Sequence, residues 1–360
     1  MLELPKRPTL VAQTAEVLRK HFSSRPVGEK LPGERDLSQQ LRISRPTLSA
    51  ALELLEREGL LHTRPCSGRV IAGRFSRGPR GVISRDVALL VPIALTAVEP
   101  RVLFWIDELR KALAKEQHQL EVLCRPGLYS ARPQRRLEEL TSRVNPSAWV
   151  LVVSTCAMQE WFMARRLPAV IAGSPYEGVR LPAVDRDHAA ACRHAVGQFV
   201  ARGHRRVALL APRIAAAGDL KSEAGFVAGG TAAGAGVETI VARHDGTVEG
   251  VCTSLDRLLA RQQRPTAFLI AQARHALTAL GYLIQRGLRF PETAALISRD
   301  HDSFLDDVVP SVARYRVDPV AFAQKLSRVV LELTSGGNPP PRQHLLMPRF
   351  IPGRTLGMML

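Results

Sequence analysis

What this chain has little of narrows it first. Among 360 residues there are five cysteines, Cys66, Cys124, Cys156, Cys192 and Cys252, odd in number, scattered, and without a C-x-x-C pair. Such usage suits reduced thiols and argues against a disulfide framework or a zinc site. No run of about 18 apolar residues occurs, so no membrane span is expected. The opening residues, Met1 to Arg7, lack the apolar core of a signal peptide, and the expected location is the cytoplasm. G-x-S-x-G, H-E-x-x-H and any Cys–His pairing legible in sequence are missing, so an enzyme is not expected. His188, His275 and His301 have no metal-ligand spacing, and neither metal nor cofactor is expected. The Gly- and Ala-rich stretch 227–240 lacks both G-x-G-x-x-G and G-x-x-x-x-G-K-[ST], and reads as a helix end plus loop.

Acidic residues are the scarcer charge, 33 against 50 Lys and Arg, a net charge of +17. The surplus is uneven. Residues 1–85 hold 16 Lys and Arg against 8 Asp and Glu, so nearly half the surplus lies in about a quarter of the chain. A basic segment of this kind favours a polyanionic partner.

That basic segment contains the most ordered pattern. Residues 8–22 read as an amphipathic helix with Leu10, Val11, Ala15, Leu18 and Phe22 on one face. Residues 23–30 read as a polar loop. Between Leu31 and Leu61 two short helices are expected around a tight turn. Leu37 and Leu41 form an apolar stripe on the first, and Leu48, Ala51, Leu52 and Leu55 form one on the second. Ser44 stands where a side-chain oxygen caps free N–H groups, and Pro46 lies in the first turn, where a missing N–H costs little. Gly59 ends the second helix. Opposite the stripe stand Arg45, Thr47 and Ser49, side chains that reach phosphates and base edges. Residues 60–72 read as two strands around a turn holding Pro65, Ser67 and Gly68, flanked by Arg64 and Arg69. Three helices and a basic two-stranded wing make a winged helix-turn-helix, expected over residues 1–74. Gly73 to Arg85 is polar, basic and aperiodic, and residues 75–86 are expected to be a linker.

From residue 87 the pattern changes. Short apolar runs at 87–91, 120–124, 148–153, 169–172, 206–211, 266–270 and 294–297 alternate with helical stretches at 102–117, 132–143, 158–166, 188–202 and 273–286. Such alternation means doubly wound parallel α/β sheet, and its length suits two lobes.

Residues 31–72 resemble the GntR-type winged helix. The matching stretches are Leu31-Pro-Gly-Glu-Arg-Asp-Leu-Ser38, Ile43-Ser-Arg-Pro-Thr-Leu-Ser-Ala-Ala-Leu52, Leu55 to Leu60, and Gly68. The resemblance implies that Arg35, Arg45, Thr47 and Gly68 meet DNA. The position of Ser49 is often Arg in that family, so one contact is missing or relocated.

The usual GntR effector domain is a helical bundle or an aminotransferase-like fold. The remainder of this chain instead resembles the LacI/GalR regulator core, itself similar to periplasmic sugar-binding proteins. The resemblance rests on Val87 to Pro92, Pro168 to Gly173, Val184-Asp-Arg-Asp-His-Ala-Ala-Ala191, Gly203 to Leu210, Gly225-Phe226, Arg264 to Ala267, Leu277 to Pro291, Asp300, Pro310 and Gly353-Arg-Thr-Leu-Gly357. It implies a two-lobed, periplasmic-binding-protein-like domain over residues 87–360. Three crossings between lobes are expected near residues 203, 313 and 341, with a small-molecule site in the cleft.

The pocket departs from the family. Ser222 stands where it has the Arg before x-x-Gly-Phe, Gln272-Ala273 replaces an Asn-Asp pair, and Arg354 is one step from the expected Arg. Asp187 and Asp300 remain, although Asp187 equally suits a helix cap. An Arg and an Asp forking onto vicinal hydroxyls are the usual sugar clamp. Without the Arg, either the ligand differs from a plain hexose or the cleft serves chiefly as a dimer scaffold. The effector candidates are Asp187, Ser222, Gln272, Asp300 and Arg354. The DNA candidates are Arg35, Ser44, Arg45, Thr47, Ser49, Arg64, Gly68 and Arg69. The expectation is a homodimeric regulator, a repressor of a carbohydrate or related catabolic operon, acting on a double-stranded operator and answering to a sugar-like effector. The other readings are a transport solute-binding protein, and a regulator whose second domain only dimerises.

Overall fold

The computed structural model describes residues 10–22, 29–57, 60–64, 68–71, 86–214 and 216–357. The loop over 23–28, the stop at Gly59, the wing turn at 65–67 and the linker up to Arg85 lie outside the described residues. The chain divides into two compact units, residues 1–84 and 85–360.

In the first unit the apolar spacing becomes three helices, α1 (Leu10–Phe22), α2 (Glu34–Leu41) and α3 (Arg45–Arg57). Their stripes meet in one small core. Ala15, Leu18 and Phe22 pack with Leu37, Leu48, Ala51, Leu52 and Leu55, closed below by Leu61 and Ile71. The last two belong to the wing strands β1 (Leu61–Arg64) and β2 (Gly68–Ile71), an antiparallel pair in which Arg64 faces Gly68. The wing has a third member that sequence periodicity did not show. Leu31 N–H donates to the Arg69 carbonyl and Ile71 N–H to that of Glu29, each at 2.9 Å, so residues 29–31 run along β2.

The second unit holds two six-stranded sheets. The first lobe is built on β3 (Asp86–Val91), β4 (Gln119–Cys124), β5 (Ala148–Val152), β6 (Ala169–Ala172), β7 (Ala183–Arg186) and β13 (Gln343–Leu346), all parallel, in the order β13-β7-β6-β5-β3-β4. Helices α4 (Pro100–Lys115) and α11 (Pro319–Thr334) cover one face with Trp105, Ile106, Leu109, Leu326 and Val330. Helices α5 (Gln134–Arg143) and α6 (Cys156–Ala164) cover the other with Leu137, Met158 and Phe162.

The second lobe is built on β8 (Arg206–Pro212), β9 (Glu238–His244), β10 (Ala267–Ile270), β11 (Ala295–Ser298), β12 (Ala313–Arg316) and β14 (Arg349–Ile351), in the order β14-β12-β11-β10-β8-β9. Only the β12–β14 pair is antiparallel. Helices α7 (His188–Val200) and α8 (Ala217–Ala233) cover one face, and α9 (Val248–Leu259) and α10 (Ala273–Gln285) the other. The Gly- and Ala-rich stretch is the end of α8, its loop and the first three residues of β9. Strands β5 and β8 end within a residue or so of their expected limits because each is a buried apolar run flanked by polar residues.

The chain passes between the lobes three times, at residues 186–188, 316–319 and 346–349. The expected crossing near residue 203 is therefore a helix too late. Ala191, Cys192, Ala195, Val196 and Phe199 pack α7 against β8 and β10, so the apolar face of that helix places it in the second lobe. The other two crossings lie a few residues past 313 and 341.

Helices α7 and α8 approach so closely that a side chain on Gly225 has no room. A Cβ built there lies 2.3 Å from the Ala189 carbonyl oxygen. Gly225→Ala must spread the two helices, at about 1–3 kcal/mol or more. Thermal unfolding of the full chain should show the body transition lowered and that of the head unmoved.

Candidate functional site

Two regions collect chemistry, one in each unit. In the head, the recognition helix α3 begins as its sequence demands. Ser44 Oγ accepts Thr47 N–H at 3.3 Å, capping the helix start, and lies 2.7 Å from Thr47 Oγ1. Arg35, Ser44 and Arg45 are exposed, and Thr47 and Ser49 are half-buried on the same end of the helix. Arg64 and Gly68 stand opposite each other at the wing tip.

Arg69 is differently placed from the other cations. Its guanidinium donates to Glu56 Oε1 at 3.0 Å and to the Glu34 carboxylate. Glu56 also accepts the Thr63 hydroxyl. That hydrogen bond, followed by Arg69, holds the Glu56 carboxyl below its ordinary pKa despite partial burial. One arginine thus ties β2 to α2 and α3. Its role as a phosphate contact competes with this internal clasp.

In the second unit the strand ends of both lobes face a cleft of about 520 Å³. This is the usual place for a ligand in open α/β sheets, and the usual volume. Its centre is the Asp300 carboxylate, just past β11 and 2% exposed. Oδ1 accepts Arg186 Nη1 at 2.7 Å and Arg299 Nε at 3.3 Å, while Oδ2 lies 3.6 Å from Arg101 Nη2. Arg186 and Arg101 come from the first lobe, at the end of β7 and the start of α4. Burial alone would push the Asp300 pKa up. The guanidiniums of Arg186, Arg299 and Arg101 outweigh it and hold the carboxyl far below the usual carboxylate range.

Arg299 is itself fully engaged. Nη1 donates to Asp219 Oδ1 at 2.8 Å and to Ser222 Oγ at 2.7 Å. Ser222, at the position where the LacI/GalR resemblance expects an arginine, therefore receives a guanidinium supplied from the neighbouring strand. Asp219 also accepts the Ala216 N–H, fastening the start of α8. Nearby, Asp185 accepts the Ser174 hydroxyl at 2.6 Å and lies 3.4 Å from His188 Nε2. Burial outweighs the Asp185 carboxylate and lowers the His188 pKa. One wall is apolar: Phe104, Trp105 and Phe322 line it, the last two with ring centroids 5.2 Å apart.

Of the five effector candidates, Gln272 and Asp300 line the cleft. Asp187 does not: its Oδ1 caps α7 through Ala190 N–H at 2.8 Å. Ser222 lies behind Arg299, buried, and Arg354 is exposed outside the lining. Sequence reading missed Arg101, Arg186 and Arg299, because residues 114 and 80 positions from their partners leave no spacing signal. The adjacent pairs Asp185-Arg186 and Arg299-Asp300, each at the end of an apolar run, were the available sign.

A winged head and a two-lobed body with an interlobe cleft define the class, a DNA-binding regulator with an effector-binding domain. The comparisons agree. Residues 11–71 match the model for bacterial regulatory proteins of the gntR family, and residues 196–356 match that for a periplasmic binding protein-like domain. The solved structure of a transcriptional regulator, CelR, in complex with cellobiose is similar with a TM-score of 0.67 at 20% identity, over 97% of this chain and 100% of that one. A LacI-family regulatory protein from Chloroflexus aggregans gives 0.68 at 20%, over 76% and 99%. A periplasmic binding protein/LacI transcriptional regulator from Alkaliphilus metalliredigens, complexed with D-xylulofuranose, gives 0.63 at 15%, over 76% and 99%. The chain carries a GntR-family helix-turn-helix domain joined to a periplasmic-binding-protein-like domain of LacI-regulator fold.

The Asp300 cluster makes a measurable demand. A carboxyl held low in the folded state contributes stability above its unfolded pKa, about 3.9, and loses it as pH falls. Asp300→Asn leaves three guanidiniums without their shared anion. It should destabilise the body by about 3–5 kcal/mol at neutral pH. Melting temperatures between about pH 6 and pH 3 should fall less steeply in the variant, because its acid-labile group is gone.

Proposed function

We propose that this protein is a homodimeric, cytoplasmic transcriptional repressor of a carbohydrate or related catabolic operon, released from or directed to its operator by a small molecule bound in the interlobe cleft. The observation that carries the reading is the pairing of an exposed GntR-type recognition-helix start with a separate lined cleft in one chain. Two copies place two recognition helices in successive major grooves, about 34–36 Å apart on a near-palindromic site. Arg45 and Thr47 read bases, while Arg35 and Arg64 hold phosphates. The sugar complexes of the CelR and Alkaliphilus structures support a carbohydrate-linked effector.

The test is retention of a palindromic fragment from the protein's own promoter region, in rising salt. Binding should fall steeply with salt. No retention at about 50 mM salt, with or without ligands, would sink the regulator reading and favour a solute-binding role. Arg45→Ala should lose about 1–3 kcal/mol of operator affinity and leave any ligand-induced thermal shift intact. Ser49→Arg should restore the contact that the GntR pattern carries at this position, tightening binding and steepening the logarithmic salt slope by about one. A deletion strain should transcribe the neighbouring operon constitutively.

A further inference from the structure

We infer that the cleft takes a small organic carboxylate as its ligand and rejects the neutral sugar of the same shape. This rests on the reading of the cleft as the effector site and narrows the class of effector. Hydrogen-bond accounting carries it. A neutral sugar presents hydroxyl donors, and a sugar clamp meets them with free carboxylate oxygens. Here the cleft carboxylates are already paired with cations or donors, Asp306 with Arg314 among them. Asp300 takes Arg186 and Arg299 and lies beside Arg101. Asp219 takes Arg299 and the Ala216 N–H. Asp185 takes the Ser174 hydroxyl and the Arg186 N–H, and Glu99 pairs with Arg101 at 2.5 Å.

Donors, by contrast, are in surplus. Arg186 makes a single side-chain hydrogen bond, through Nη1. Arg101 Nε is buried without a partner. Arg274 and Arg316 line the cleft, exposed and, among the described residues, without an ion-pair partner, Arg274 donating through Nε to Gln272 Oε1. A buried donor without an acceptor is costly, so a ligand that brings acceptors is favoured over one that brings more donors. A carboxylate brings two charged oxygens and matches the planar guanidinium fork. Asp300 already shows from within the protein that one carboxylate can hold guanidiniums of both lobes. A second carboxylate shares Arg101, the loosest partner of Asp300, and takes up the unused edge of Arg186. The wall of Phe104, Trp105 and Phe322 then covers the ligand's body, which is an apolar face of a sugar acid or the ring of an aromatic acid.

The experiment uses the full chain and matched pairs: D-gluconate against D-glucose, D-galacturonate against D-galactose, and benzoate against benzyl alcohol. Thermal shift and titration calorimetry are the readouts. At least one carboxylate should raise the melting temperature while its neutral partner does not. Arg101→Gln, which removes the guanidinium the ligand shares, should weaken that binding about tenfold, the share of one charge-assisted contact, and the melting temperature of the unliganded variant checks its fold. Equal shifts with a neutral partner overturn the inference, as does indifference to every carboxylate. Promoter-fragment retention by the same preparation separates the two failures. Retention with no carboxylate effect leaves the regulator reading standing, whereas loss of retention removes its basis.

Discussion

One buried carboxylate organises the body of this protein. Asp300 is nearly inaccessible to water, yet guanidiniums from both lobes keep it charged. Isolated ions at such depth are prohibitively costly, and pairs only break even when their remaining donors and acceptors are satisfied. The surroundings fall short of it at Arg101, whose Nε is buried without a partner. That unmet donor belongs to the first lobe and lies at the cleft. The lining of the cleft and a fold-stabilising cluster share the same atoms.

The same economy of charge shapes the head. Of its cations, Arg69 is turned inward by Glu34 and Glu56, whereas Arg35 and Arg45 remain exposed. The wing is thereby fixed to both helices of the helix-turn-helix before any polyanion arrives. The surplus charge of residues 1–85 is consequently not all available to a partner, and the salt dependence of binding reports fewer contacts than the arginine count suggests.

Much of this was legible in the amino-acid order, for physical reasons that also explain what was not. Recognition helix α3 is announced by a cap, a proline and a stripe within a dozen residues, all local. Strands β3, β5 and β8 are apolar because both faces of their sheets are covered. Strand β7 is short and ends in Asp185 and Arg186, so it does not read as a strand, although it delivers a central cleft cation. The resemblance to sugar-binding regulators pointed to Ser222 as a loss. It could not show that Arg299, 77 residues on, fills the vacated space. Asp187, equally plausible as ligand or cap, proves to be a cap because its oxygen meets the Ala190 N–H. Charged residues that meet only through the fold leave no periodic trace.

The three chain passages at residues 186–188, 316–319 and 346–349 have a mechanical consequence. A pair of bodies held by one strand can tumble; held by three segments, it resists twist and slide and retains chiefly one soft rotation. The first of these segments begins with Arg186, which also grips Asp300 across the gap. Hinge and latch therefore meet in a single residue. The residue that begins one connection between the lobes is thus also the one whose guanidinium ties them together at Asp300.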